Sequence, residues 1–173
     1  IKPQLAQHFT VITSDLRGYG ESSKPQSRPG HDTYSKREMA RDQVALMKHL
    51  GYERFSLVGH DRGGRVSHRL VIDHPGVVDR LMVMDISPTL TMYEQTTMAF
   101  AKGYWHWFFL IQPEPIPETM INANPVFFLE NHMAKYKDPD HRIFSKSAWD
   151  QYVSCIQKPE HVHAMCEDYR AAS

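Results

Sequence analysis

The chain has 173 residues, of which 41% are hydrophobic, and its 20 acidic side chains balance its 20 Lys and Arg side chains. This composition is typical of an ordinary globular protein and excludes a disordered, strongly charged one. The basic residues are dispersed, and no apolar stretch approaches the roughly 20 residues that cross a bilayer. We therefore expect neither nucleic acid nor a membrane as a partner.

Predicted strands and helices alternate in the first half of the chain. A β-branched run at residues 9–14 predicts a strand, and apolar residues at helical spacing predict a helix over residues 35–50. Apolar runs at residues 55–58 and 80–84 predict two more strands, separated by a helix that ends before Pro75. Three strands alternating with two helices predict an α/β fold with a parallel sheet covered on both faces.

The second half of the chain predicts a helical lid. After Pro88, segments rich in aromatic residues and Met alternate with proline-containing breaks and no strand run appears; the breaks contain Pro113, Pro125, Pro139 and Pro159. Residues 112–117, with three prolines, predict a stiff connector within the lid. We therefore divide the chain into a sheet core at residues 1–88 and a lid at residues 89–173.

The sharpest local motif is V-G-H-D-R-G-G at residues 58–64, between a predicted strand and a predicted helix. It matches the strand-to-helix turn called a nucleophile elbow, with Asp61 where Ser is commoner. We expect Gly59 and Gly63 to permit the tight, strained turn that projects Asp61 from the sheet. A carboxylate nucleophile can displace a leaving group from saturated carbon, forming an ester that water then cleaves. The alternative is that Asp61 only caps the following helix.

Residues 59–65, G-H-D-R-G-G-R, together with residues 15–20, D-L-R-G-Y-G, resemble the haloacetate (fluoroacetate) dehalogenases of the α/β-hydrolase superfamily. The resemblance covers almost the whole chain. It implies an α/β-hydrolase fold with a helical cap, hydrolysis of haloacetates through an aspartyl ester, and a homodimer, without metal or cofactor. Haloalkane dehalogenases and many epoxide hydrolases share the Asp nucleophile but usually carry Trp at the next position. Arg62 occupies that position here and favours an anionic substrate, a haloacid.

Two arginines lie where a helix disfavours them. Arg62 and Arg65 fall in the first turn of the predicted helix, where each cation opposes the helix dipole by roughly 0.3–1 kcal/mol. We expect a bound anion to offset that cost. By resemblance, both side chains clamp the substrate carboxylate, a role suited to the guanidinium fork. The alternative is a simple i, i+4 ion pair between Asp61 and Arg65.

Asp85 directly follows the run at residues 80–84, at the carboxyl end of a predicted strand. The resemblance makes Asp85 the triad acid, which orients a histidine that activates the hydrolytic water. Alternatively, Asp85 belongs only to a turn and caps local amides.

The segment Y-W-H-W at residues 104–107 concentrates aromatic side chains in the lid. By resemblance, His106, Trp107 and Tyr169 form the halide pocket. Imidazole, indole and phenol groups all donate hydrogen bonds, which a departing halide needs as its negative charge grows. The alternative for the aromatic segment is ordinary packing of the lid.

Two parts of the family's machinery have no matching motif here: the His-Gly loop that supplies an oxyanion donor, and the catalytic histidine that follows the cap. We do not expect His60, His161 or His163 to act as the base, because a base must approach the nucleophile in triad geometry. The chain also opens with Ile1. We therefore expect both ends of the catalytic domain to be missing, and no steady-state turnover by these 173 residues alone.

Residues 15–20 are interpreted as a structural loop without a catalytic role. The two cysteines, Cys155 and Cys166, have no C-x-x-C or metal-type spacing, which predicts free thiols and a cytoplasmic location. Two other functions stay open: an epoxide hydrolase, with Tyr104, Tyr152 or Tyr169 protonating the epoxide oxygen, and a non-catalytic binding protein of the same fold.

Overall fold

The computed structural model describes residues 2–132 and 143–173. Its sheet contains two parallel strands, β1 (Phe55–His60) and β2 (Val78–Met84), paired from Phe55 with Val78 to His60 with Met84. Helix α3 (Arg62–Asp73) forms the crossover that parallel strands require. The α/β class and these two predicted strands are confirmed.

Local sequence explains the helices next to the sheet. Helix α2 (Lys36–His49) begins where the Ser35 hydroxyl accepts a hydrogen bond from the backbone N–H of Glu38, an arrangement typical of a capping box. Helices α2 and α3 pack together over an apolar cluster made of Tyr34, Met39, Ala40, Val66, Leu70 and Ala164. A short helix α1 (Lys2–Leu5) and a 3-10 turn (Asp32–Tyr34) precede them.

The predicted strand at residues 9–14 is wrong: this segment has no regular secondary structure, and β1 and β2 are the two strands found in the described residues. A β-branched run becomes a strand only when a neighbouring strand accepts and donates its backbone hydrogen bonds. Phe9, at its start, is 66% exposed.

The described part of the second half is helical, as predicted. Its helices are α4 (Thr89–Glu94), α5 (Met98–Gly103), α6 (Trp105–Leu110), α7 (Ile116–Ala123), α8 (Pro125–His132), α9 (Lys146–Ile156) and α10 (Pro159–Arg170). Pro125 and Pro159 start helices instead of merely separating them, because a first-turn residue needs no N–H donor. The connector predicted at residues 112–117 is shorter, since Pro117 lies in the first turn of α7. Pro139 lies outside the described residues.

Helices α4 to α10 are here called the cap. Helix α10 packs in both the apolar cluster of the sheet core and that of the cap. Its Ala164 packs in the cluster between α2 and α3, whereas Val162, Cys166 and Tyr169 pack in a second apolar cluster with the cap residues Trp107, Leu110, Ile121, Phe128, Leu129 and Ile156. In the part of the chain that the structure describes, no helix is both long and apolar enough to cross a membrane.

Candidate active site

Asp61 lies between β1 and α3 in a backbone conformation that non-glycine residues avoid, with φ 47° and ψ −118°. Such a conformation costs roughly 1–3 kcal/mol and persists where a function requires it. Asp61 occupies the N-cap position of α3, but its side chain makes no capping hydrogen bond. Capping therefore does not explain the residue, and the exposed, strained turn between β1 and α3 is the feature on which the nucleophile-elbow interpretation rests.

Two glycines of this turn lie close to neighbouring atoms, Gly59 more closely than Gly64. A Cβ atom on Gly59 would lie 2.4 Å from Ser67 Oγ and 2.5 Å from the Gly63 carbonyl oxygen, closer than side chains tolerate. A Cβ atom on Gly64 would lie 3.1 Å from Ile86 Cδ1, whereas one on Gly63 would meet nothing within 4 Å. The prediction for Gly59 is confirmed and that for Gly63 is wrong, because the second crowded position is Gly64, which faces Ile86.

Asp85 follows β2 at the position next to Asp61. The strand register pairs His60 with Met84, and the Asp61 N–H donates to the Met84 carbonyl oxygen at 3.3 Å. Asp85 also has a positive φ of 51°, and its carboxylate lies 4.0 Å from His60 Nε2 with 92% of the side chain exposed. The two carboxylates predicted to act together thus end adjacent strands.

Arg62 is held by a residue that the sequence did not point to. Its Nε donates to Asp168 Oδ2 at 2.7 Å, and its Nη2 forms an ion pair with the same oxygen at 2.6 Å. The guanidinium carbon sits 3.9 Å from the centre of the Tyr169 ring. Burial disfavours the charge, but the Asp168 carboxylate outweighs it and raises the pKa of Arg62.

Arg65 is buried and held by the chain after β2. Its Nη1 donates to the Ser87 carbonyl oxygen at 2.7 Å and to Thr89 Oγ1 at 2.8 Å, and its guanidinium carbon lies 4.8 Å from the Trp107 ring centre. Arg65 therefore does not form the simple i, i+4 ion pair with Asp61. Its Nε is buried without a hydrogen-bond partner among the described residues.

The three side chains predicted to receive the halide lie together. The rings of His106 and Trp107 approach the Tyr169 ring with centroid distances of 6.0 and 6.1 Å. Trp107 and Tyr169 are also part of the buried cap cluster, as the alternative of ordinary packing predicts. Burial raises the pKa of Tyr169 to about 12, which keeps its hydroxyl protonated and able to donate.

Two groups near the arginines escaped the sequence analysis. The Tyr93 hydroxyl is buried without a partner in the described residues, and its ring lies 5.4 Å from that of Trp107. Burial raises the pKa of Tyr93, opposed by the charges of Arg62 and Arg65. The second group, here called the Asp168 cluster, consists of Tyr19, Lys36, Arg62 and Asp168.

In the Asp168 cluster, the Tyr19 hydroxyl donates to Asp168 Oδ2 at 2.6 Å and Lys36 Nζ contacts Oδ1. Tyr19 belongs to the loop at residues 15–20, which is interpreted from its sequence as structural, so this loop reaches the candidate site. The sequence held two indications of this cluster. Tyr19 lies in the motif at residues 15–20, and Asp168 directly precedes Tyr169.

The described histidines show no triad with Asp61. His60 approaches Asp85 only at 4.0 Å, and His163 lies 3.4 Å from Glu118 within the cap. Cys155 and Cys166 are free thiols, as predicted. Within residues 2–132 and 143–173, no group of three or more His, Cys, Asp or Glu side chains could hold a metal ion.

Comparison with known proteins places these features in a family. The family model of the α/β hydrolase fold matches residues 1–133. The chain is 47% identical over 171 residues to a fluoroacetate dehalogenase from Burkholderia sp, covering 99% of this chain and 56% of the relative. It is 43% identical over 88 residues to a soluble epoxide hydrolase from Corynebacterium sp. (strain C12), covering 51% of this chain and 29% of the relative.

A crystal structure of a Salmonella enterica protein that carries an acyltransferase assignment superposes with a TM-score of 0.93 and 55% identity, covering 98% of this chain and 56% of that one. The chain matches the fluoroacetate dehalogenase and the Salmonella enterica protein along almost all of its own residues, but it spans only 56% of the length of each. The family model agrees with the parallel sheet and the strained strand-to-helix turn at Asp61. The chain belongs to the α/β hydrolase fold family.

Proposed function

We propose that this protein hydrolyses haloacetates to glycolate and halide through an ester formed on Asp61. The observation that carries the proposal is the meeting of two arginines with the aromatic side chains of the cap. Arg62 lies 3.9 Å from the Tyr169 ring centre, and Arg65 lies 4.8 Å from that of Trp107. A haloacetate carries its carboxylate and its halogen on the same carbon, so a site for it needs anion donors and halide donors this close together.

In the first step, a carboxylate oxygen of Asp61 attacks the halogen-bearing carbon. The new C–O bond forms as the carbon–halogen bond breaks, and the halide leaves with the bonding electron pair. His106, Trp107 and Tyr169 donate hydrogen bonds to the halide as its charge develops. The raised pKa of Tyr169, a consequence of burial, supports this role because a deprotonated phenol could not donate.

The substrate carboxylate binds to the arginines. Arg65 Nε is a buried donor without a hydrogen-bond partner among the described residues. Leaving such a donor unpaired costs roughly 1–3 kcal/mol, and more for a charged group. An ionised substrate carboxylate would satisfy it, and it would offset the positive charges of Arg62 and Arg65 at the start of α3.

In the second step, water cleaves the ester and restores Asp61. The water loses a proton to a histidine base that Asp85 orients. The position of Asp85 beside Asp61, at the ends of paired strands, supports this assignment.

Epoxide hydrolysis is the second candidate, because the chain is also similar to a soluble epoxide hydrolase. Of the tyrosines proposed from sequence, Tyr104 and Tyr152 are 45% and 37% exposed, whereas Tyr169 is buried. Tyr93, with its buried and unpaired hydroxyl, is a further donor for an epoxide oxygen. Arg62 argues for the anionic substrate over a neutral epoxide. A non-catalytic binding protein is the third candidate.

The test uses the protein expressed from its complete open reading frame. It is incubated separately with fluoroacetate, bromoacetate and styrene oxide, and released halide, glycolate and diol are measured. We expect turnover of both haloacetates, and we expect Asp61→Asn to abolish it while the protein stays folded, because an amide is not a carboxylate nucleophile. Asp150→Asn, an exposed site on α9, is the matched control and should keep full activity.

Peptide mass spectrometry of protein quenched during turnover should detect the ester on the peptide containing Asp61. Retained activity in Asp61→Asn, without deamidation back to Asp, would contradict the nucleophile assignment. Faster turnover of styrene oxide than of the haloacetates would favour the epoxide hydrolase. Absence of all three reactions would favour the binding protein.

A further inference from the structure

The Asp168 cluster contains more positive than negative charge in a buried place. The Asp168 side chain is fully buried, and the side chains of Lys36 and Arg62 are each 13% exposed. Both cations contact the single carboxylate, so the cluster has one positive charge in excess. A buried charge without compensation is expensive, which makes an uncompensated cation a sign of a missing partner.

The excess of positive charge persists when the other charged side chains of the site are included. Arg65 is 7% exposed and adds a third cation, and Asp61 adds a second carboxylate. Asp85 ends the adjacent strand, but 92% of its side chain is exposed, so solvent screens its charge. Three cations against two carboxylates leave one positive charge, which a single ionised carboxylate on the ligand would balance.

The phenols around the cluster do not supply the missing charge. Burial raises the pKa of Tyr19 well above its usual value, raises that of Tyr169 to about 12, and raises that of Tyr93. All three are therefore neutral near pH 7. They act as hydrogen-bond donors and leave the charge balance unchanged.

With Asp168 as its only charged neighbour, Arg62 would attract a substrate anion only weakly. The carboxylate fixes the guanidinium through Nε, but a carboxylate and a guanidinium in contact form a neutral pair with little attraction left for another anion. Lys36, on α2, contacts the other oxygen of Asp168 and neutralises it. Arg62 then keeps both its orientation and its charge.

We propose that Lys36 is a specificity-determining residue, which gives the site its preference for anionic substrates by compensating Asp168 without touching the substrate itself. The inference rests on the proposed function, since it concerns how the same site binds a haloacetate. A unit charge acting over roughly 6–10 Å at an effective dielectric constant of about 20 changes affinity for a monoanion about 10- to 100-fold. The effect on a neutral substrate of the same shape is close to none.

The test compares bromoacetate with neutral 2-bromoacetamide in the protein expressed from its complete open reading frame. Lys36→Met should raise the KM for bromoacetate about 10- to 100-fold with kcat changed only a few-fold, while the kinetics of bromoacetamide stay unchanged. Lys36→Arg keeps the charge and should restore most of the bromoacetate KM. Lys48→Met, an exposed lysine on the same helix, is the matched control and should change nothing.

A measurement on the unaltered protein covers the case in which Lys36→Met fails to fold. Burial lowers the pKa of Lys36 to about 8. The Asp168 carboxylate on α10 opposes this shift, and the positive charges of Arg62 and Arg65 on α3 add to it. The other facing group, Tyr19, stays neutral there. Above pH 8, the KM for bromoacetate should therefore rise relative to that for bromoacetamide.

The possible results distinguish failure of the inference about Lys36 from failure of the proposed function. Equal losses for bromoacetate and bromoacetamide in Lys36→Met, without rescue by Lys36→Arg, would show that Lys36 only supports the fold and would overturn the inference. An unchanged bromoacetate KM in a folded Lys36→Met, or a flat KM ratio across pH 8, would overturn it as well. A wild-type protein that turns over neither compound would overturn the proposed function, and the inference with it.

Discussion

Replacing Arg65 with Lys keeps the positive charge at the start of α3 but removes the planar fork. The guanidinium divides its work: Nη1 is occupied by the Ser87 carbonyl oxygen at 2.7 Å and Thr89 Oγ1 at 2.8 Å, and Nε is the buried donor left without a partner among the described residues. A lysine has one nitrogen for all of these acceptors. It cannot hold the chain after β2 and also present a fixed donor to the substrate.

The expected size follows from the one charge-assisted hydrogen bond that the substrate would lose. Such a bond contributes about 1.5–3 kcal/mol, which corresponds to roughly a 10- to 150-fold rise in the KM for bromoacetate. The charge that attracts the anion stays, so kcat should change only a few-fold. The lost contact with the Trp107 ring acts on the free energy of unfolding instead, by about 0.5–2 kcal/mol.

The assay is steady-state bromide release as a function of bromoacetate concentration, with a thermal melt of each protein. Arg69→Lys is the matched control, because Arg69 lies on the same helix and pairs with Asp73 away from the elbow. We expect its KM to equal that of the wild type. A folded Arg65→Lys protein with an unchanged KM would refute the clamp, and equal changes in both variants would show a general effect of arginine loss on α3.

Three further results are expected. Gly59→Ala should destabilise the protein by about 1–3 kcal/mol or more in denaturant unfolding, because its Cβ atom would lie 2.4 Å from Ser67 Oγ, whereas Gly63→Ala should fold normally; the reverse order would contradict the geometry of the elbow. His106→Phe and Trp107→Phe keep a ring but lose a hydrogen-bond donor, so each should raise the activation barrier for fluoride release by about 2–4 kcal/mol and that for bromide release much less. Equal losses of the two activities would mean that these side chains only pack the cap. Tyr93→Phe removes a buried hydroxyl without a partner among the described residues and should leave the melting temperature unchanged or higher, whereas a lower melting temperature would reveal a hidden partner.

Short-range features of the site could be predicted from the residues alone. A strand, a glycine-rich turn with Asp61 and a helix starting at Arg62 follow one another within a few residues, so periodicity and turn chemistry identify them. The same holds for Asp85 at the end of the next strand. The family resemblance added the cap residues, which no spacing rule connects to the elbow.

Packing between distant segments established the rest. The hydrogen bonds of Asp168 span 149 residues to Tyr19, 132 to Lys36 and 106 to Arg62, and nothing in the local pattern of any of these segments specifies the others as partners. The same dependence on distant neighbours explains the errors. Whether residues 9–14 form a strand depends on a paired backbone, and whether Gly63 or Gly64 is the crowded position depends on where Ile86 lies. Contacts of this kind depend on how helices and strands pack in three dimensions, which secondary-structure periodicity does not encode.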